Sequence, residues 1–251
     1  MDHTRRALLI GVGTTPEAAD HFGSLENPVA ADLRALASSL RASEYEVEVL
    51  QEATRRDITS RISAAAQDVA EGGTLLVHFS GHGIRVEDAD YLVPHDVVAP
   101  IGSGGDEWSR PHVVESLVPA DISRYLDGCR AATVVWTVDA CRSPISGDAA
   151  AWFGSRIVTG PPTGRFALMT GCAAGQLSGH TSDGSFFTLG LAEALRPLTA
   201  ARTVEEVFTT AAAWTARAAH AHGLVQQPTV RYGSDLEPET RAAVILSLIH
   251  I

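Results

Sequence analysis

The sequence predicts an α/β fold, a three-layer αβα sandwich around a mostly parallel six-stranded sheet. Three observations lead there. Short apolar, β-branched runs alternate with longer segments of helical spacing, the pattern of a parallel sheet covered on both faces. Apolar residues make up 45% of the 251 and charged residues 20%, enough to build a sizeable core and too apolar for wholesale disorder. Two of the runs, LLVHFSGHG and ATVVWTVDACRS, stop abruptly at reactive side chains, His82 and Cys141. In open parallel sheets, functional groups gather where strands end at their carboxyl edge.

Each element follows in order. RALLIGVG, from Arg6 to Gly13, reads as a first buried strand. From Asn27 a helix is predicted, with Val29, Leu33, Leu36 and Leu40 on one face. Tyr45 to Leu50 alternates as a second strand. ATRRDITSRISAAAQDVA reads as a helix with Thr54 or Asp57 available as a cap. Thr74 to Ser80 is the third strand, and Tyr91 to Val93 a short strand or hairpin. PADISRYLDGC is predicted as a helix opened by Pro119. AATVVWTVDA is the fourth strand. Ser143 to Gly164 has no periodicity and carries PISGD and TGPPTG, so a long, functional loop is expected. Arg165 to Gly171 is the fifth strand, SFFTLGLAEALRPL and TVEEVFTTAAAWTARAAHAH are amphipathic helices, and Gln226 to Gly233 is the sixth strand. The closing LSLIHI, Leu246 to Ile251, has no evident partner element. It reads as the translation of a sequencing-library transposon end, with the natural chain continuing past it. The other reading is a short apolar C-terminal strand or helix end.

Charge and cysteine content narrow the function. The net charge is −11, which argues against a nucleic-acid surface, since phosphate binding needs clustered cations. All 19 basic residues are arginine, so no Schiff-base or phosphate-loop lysine is available. Cys129, Cys141 and Cys172 form neither a disulfide framework nor a zinc site by spacing. There is no charged-then-apolar leader and no run long enough to span a bilayer, so no membrane association is expected. A reducing, cytoplasmic setting follows as the default.

The chemistry concentrates at His82 and Cys141. Their separation of 59 positions leaves room for a helix and a crossover between neighbouring strands. A thiol near its free pKa of about 8.5 is mostly protonated at neutral pH. An imidazole beside it can take that proton and later act as an acid toward a leaving amine. Gly83 permits close backbone approach, and its N–H together with that of Cys141 could form an oxyanion hole. On pattern alone the bland reading stands beside this one: a cysteine at a strand end is often a small buried hydrophobe, and His82 could be a turn residue. Cys129 and Cys172 lack a comparable context. His78, inside the third strand, reads as a core histidine.

At HFSGHG and DACRS the chain resembles the caspase-like cysteine peptidases, the group of caspases, metacaspases and bacterial relatives. DGSFFTLGLAEAL and QQPTV also look like family signatures, so the resemblance runs from Leu8 to about Gly233. It implies a caspase-like peptidase domain over residues 1–235. Within it, 1–142 is large-subunit-like, 143–164 an intersubunit-type loop and 165–235 small-subunit-like, with 236–251 left as a tail. It implies a cysteine endopeptidase with Cys141 as nucleophile and His82 as base, acting on protein or peptide substrates through a thioester, chemistry that needs no cofactor. Metacaspase-type members carry an acid two residues before the nucleophile, here Asp139, and a second at the start of the first helix, here Asp32, although Ala31 replaces their usual Asn. Two carboxylates in a narrow pocket favour Arg or Lys and repel acidic side chains. The family's self-processing makes Arg156 and Arg165 candidate autocleavage sites. The cysteine motif departs from metacaspases, which usually read Asp-Ser-Cys-His-Ser. Calcium activation would have to rest on Asp106, Glu107 and Asp148, too few ligands for the six to eight oxygens such a site needs. Relatives often join this domain to a sensor or effector segment, and bacterial ones serve regulated cell death or defence.

Overall fold

The computed structural model describes residues 4–86, 89–99, 111–141, 165–173, 175–197, 202–233 and 236–246. Its central sheet has six strands: β1 (Arg5–Val12), β2 (Glu46–Gln51), β3 (Thr74–Gly81), β4 (Thr133–Asp139), β5 (Arg165–Thr170) and β6 (Thr229–Tyr232). The spatial order is β6-β5-β4-β3-β1-β2. Every pairing is parallel except β6 against β5. Central strands β3 and β4 are buried along their whole length, which is why they read as unbroken apolar runs.

Four helices complete the layers: α1 (Glu26–Ala42), α2 (Arg55–Asp68), α3 (Phe186–Ala194) and α4 (Val204–Ala221). Strand alternation divides the core in two. Leu9, Leu76, Val135 and Met169 face α1, α3 and α4. Leu8, Val77, Trp136 and Phe166 face α2. The three-layer αβα sandwich is therefore the observed architecture. Thr54 caps α2 through a reciprocal box with Asp57, the arrangement that leaves fewest orphan N–H groups at a helix start.

Two expectations are corrected. PADISRYLDGC is not an α-helix. Val118–Pro119 instead pairs with Tyr91 and Leu92 in a small antiparallel sheet, and only Ser123–Tyr125 makes a 3₁₀ turn. Pro119 lies in that strand, the Asp121 carboxylate accepts from Ser123 N at 3.0 Å, and Gly128 turns at φ +72°, so no helical register is left for the segment. The C-terminal end also has a partner. Val244–Leu246 pairs antiparallel with Arg202–Thr203, and Ile245 and Leu246 are buried in the α1/α3/α4 core. The strand reading holds for Leu246.

Candidate active site

The carboxyl edge of β3 and β4 positions the site. β3 ends at Gly81 and delivers His82; β4 ends at Asp139 and delivers Cys141 two residues later. Since β3 and β4 are adjacent and parallel, with Ser80 opposite Asp139, both functional groups leave the sheet at the same edge. Gly83 lies against the backbone of Cys141. A Cβ there would sit 2.7 Å from Cys141 O and 2.9 Å from Ala140 Cβ, so only glycine fits without movement. Cys141 and Gly83 also line an apolar cleft with Ile84, Tyr91, Val138 and Leu168.

His82 is held by a segment that carries no motif of its own, Phe22–Gly23. Its Nε2–H donates to Gly23 O at 2.7 Å, and its ring lies 5.0 Å from that of Phe22. A proton fixed on Nε2 leaves Nδ1 unprotonated in the neutral ring, so Nδ1 is the nitrogen able to accept a proton. Burial holds the imidazole below its ordinary value, the nearby His180 adds to this, and the Gly23 carbonyl opposes it. Burial pushes the Cys141 thiol up, the Asp139 charge adds to that, and a backbone hydrogen bond from Ser178 works against it. Both shifts favour a neutral thiol beside a neutral imidazole at rest, rather than a preformed ion pair.

Beside the thiol lie two buried carboxylates. Asp139 is 3% exposed and Asp32 0%. Asp32, on α1, accepts Ser80 Oγ–H at 2.6 Å, Ser185 N–H at 2.7 Å and Ser185 Oγ–H at 2.7 Å. Asp139 accepts Thr188 N–H at 2.8 Å, Thr188 Oγ–H at 2.7 Å and a hydroxyl hydrogen bond from Ser178. Burial pushes Asp32 up to about 7, with the Asp139 charge adding to the effect against its serine hydrogen bonds. Burial likewise raises Asp139, opposed by Ser178, Thr188 and the imidazole of His180.

The N-terminus of α3 organises both acids. Its cap residue, Ser185, makes no side-chain cap hydrogen bond of its own, because that hydroxyl serves Asp32. Asp139 instead takes the orphan Thr188 N–H of the first turn, a position where the helix dipole favours an anion. Gly184, at φ +131°, makes the approach possible: a Cβ there would meet Asp32 Oδ1 at 2.8 Å. The same short hairpin, His180–Thr181 with Gly184–Ser185, sets His180 across from Ser185.

His82, Gly83 and Cys141 therefore meet at one sheet edge, with Asp139 and Asp32 beside them. Arg165 does not join them. It begins β5 at the opposite end of the sheet, where Arg165 N–H donates to Ala132 O at 2.9 Å, and the next residue, Phe166, is 1% exposed. A protease would have to open this ladder to reach the bond after Arg165. Arg156, Asp106, Glu107 and Asp148 lie outside the described residues. Among the described residues no group of three or more His, Cys, Asp or Glu could hold a metal ion, and no helix is long and apolar enough to cross a membrane. Ser80, Ser178, Ser185, Thr188 and the Gly23 carbonyl escaped the sequence reading. Ser80, Ser185 and Thr188 sit in stretches that carry the family resemblance and Ser178 sits outside them, but hydroxyl identity alone does not mark a role.

The sequence profile described as the caspase domain matches residues 4–232. The crystal structure of a Geobacter sulfurreducens protein is similar over 98% of this chain and 100% of its own, at 16% identity and a TM-score of 0.65. That of caspase-1 from Spodoptera frugiperda is similar over 92% of this chain and 88% of its own, at 20% identity and a TM-score of 0.57. Comparison with curated protein sequences gives no match.

Proposed function

The chain belongs to the caspase domain family, and from that premise we propose that it is a cysteine endopeptidase cutting after arginine or lysine. One observation carries the specificity: two buried carboxylates, Asp32 and Asp139, stand beside the thiol and feel each other's charge. Burying like charges together is costly unless a cation completes the set. A guanidinium or ammonium on the substrate would supply it, whereas an acidic side chain would be a third negative charge.

In the proposed reaction Cys141 Sγ attacks the carbonyl carbon of the scissile bond while His82 Nδ1 takes the thiol proton. The oxyanion is received by the N–H groups of Gly83 and Cys141. His82 then passes its proton to the leaving amine, and a thioester remains. Water, deprotonated by His82, attacks the thioester, and the thiol is restored as the acid product leaves. The neutral resting dyad suits this sequence, since the proton moves only as the carbon–sulfur bond forms. The chain would also process itself at Arg156.

The test is hydrolysis of matched peptides with Arg, Lys or Asp before the cut, with Cys141→Ala as control. Cleavage after Arg and Lys, absent in the variant, is expected. Preference for Asp would overturn the acidic pocket. No cleavage by the purified chain, together with no thiol labelling by a peptidyl-arginine probe, would leave a catalytically silent signalling module.

A further inference from the structure

The buried imidazole of His78 lies outside the mechanism just described, yet it is wired to the pocket. It is 0% exposed. Its Nδ1 lies 2.8 Å from Thr137 Oγ1 and its Nε2 3.4 Å from Thr188 Oγ1. Thr188 Oγ1 in turn lies 2.7 Å from Asp139 Oδ2. His78, Thr137, Ser80 and Asp139 share one face of the β3–β4 pair, by register, and α3 closes over them with Thr188.

Proton counting decides the direction of each bond. Asp139 Oδ2 accepts both Thr188 N–H and Thr188 Oγ1–H, at 2.8 and 2.7 Å, so Thr188 spends its single hydroxyl proton on Asp139. Toward His78, Thr188 Oγ1 then shows a lone pair, and Nε2 must carry the hydrogen. Burial pushes His78 down to about 3, so the ring is neutral and holds one proton only. Nδ1 is therefore bare and accepts from Thr137 Oγ1–H. The opposite polarity would have Nδ1–H donate to Thr137, whose hydroxyl would turn to Val77 O at 3.2 Å. A bare Nε2 would then compete with Asp139 for the Thr188 proton. The carboxylate, at 2.7 Å against 3.4 Å, wins that competition.

We propose that His78 is a positioning residue: its Nε2–H pins the Thr188 hydroxyl so that its proton points at Asp139, keeping that carboxylate anionic and aimed for a basic substrate side chain. The inference rests on the acidic-pocket reading above. The titratable groups facing Asp139 are Asp32 from α1, His180 from the hairpin and Cys141 from the loop after β4. His78 reaches it through Thr188.

Two measurements test this, and the first needs no peptidase activity. Ring-nitrogen NMR of ¹⁵N-histidine-labelled full-length Cys141→Ala should show His78 protonated at Nε2 and bare at Nδ1 at pH 8. The Nδ1–H form would overturn the proposal. The second is kinetic. His78→Gln keeps a donor near the Nε2 position; His78→Leu removes it. His78→Leu should raise KM for a peptidyl-arginine substrate about ten-fold with kcat little changed, the upper end of the loss expected of one neutral hydrogen bond. His78→Gln should restore KM to within about two-fold. Thr188→Val should raise KM at least as much, and adding His78→Leu to it should cost nothing further, because the two act through one hydroxyl. Additive losses, or kcat falling with KM unchanged, would overturn the proposal. Should His78→Leu fail to fold, the Gln and Val variants and the tautomer still decide it. If the unmodified chain cleaves no peptidyl-arginine, the pocket reading fails separately, and the tautomer alone judges the hydrogen-bond chain.

Discussion

Asp32 is costly to the fold. In an unfolded chain an aspartate gives up its proton near 4, but burial and the Asp139 charge hold the Asp32 proton up to about 7. Between those values the folded state binds more protons than the unfolded one, so stability falls as pH rises through that window. Asp32→Asn removes the penalty and keeps the oxygen that accepts Ser185 N–H. The variant should melt at about the native temperature at pH 4 and roughly 5 °C higher at pH 8, read by scanning calorimetry across the range. Function should move the other way. A basic side chain is attracted by the deprotonated acid, so native KM for peptidyl-arginine should fall as pH rises through about 7. In Asp32→Asn that transition should vanish, with KM staying near the native low-pH value across the range. A variant that is no more stable at pH 8, or that keeps the KM transition, would show that Asp32 is not the titrating group.

At the scale of elements, the C-terminal strand is a clasp. Val244–Leu246 pairs with Arg202–Thr203 ahead of α4, and the Tyr45 hydroxyl after α1 donates to Ile245 O at 2.8 Å in a buried site. Ile245 and Leu246 together remove two large side chains from water, worth about 1.5–3 kcal/mol each. Truncation before Val244 should therefore lower the melting temperature by roughly 10 °C while far-ultraviolet circular dichroism keeps its native shape. An unchanged melting temperature would mean the clasp is unoccupied in solution. The sequence hid this element because three residues are too few for periodicity. It was clearer elsewhere for physical reasons. β3 and β4 are buried on both faces, so their apolar runs are unbroken and their chemically reactive ends at His82 and Cys141 stand out. Asp32 was legible only through resemblance, since an acid early in a helix usually just answers the dipole. Its partners Ser80 and Ser185 lie 48 and 153 residues away, and no local pattern links them. The Gly23 carbonyl that holds His82 belongs to the backbone and has no residue identity to read.

The whole molecule is built across the segment 143–164 that the proposed self-processing would cut. β4, before it, and β5, after it, are hydrogen-bonded neighbours in the sheet, from Thr133 opposite Arg165 to Val138 opposite Thr170. α1, before it, packs on α3, after it. The site is divided in the same way. His82, Cys141, Asp32 and Asp139 come from the first part, while Ser178, Ser185 and Thr188, which hold the two acids, come from the second. Neither part can close the acidic pocket alone. A cut at Arg156 severs one covalent link and leaves an interface that resembles a core divided in half, the obligate class. The two fragments should therefore elute together in size-exclusion chromatography under native conditions and separate only in denaturant. Unfolding would now release two chains, so the melting temperature of the cut protein should fall on dilution while that of the intact Arg156→Ala variant does not. Arg165→Ala should be cut as the native chain is, since its bond lies inside β5. Fragments that separate without denaturant, or a melting temperature of the cut protein that is independent of concentration, would mean that the two parts are independently folded units, and the shared pocket would then have to be abandoned.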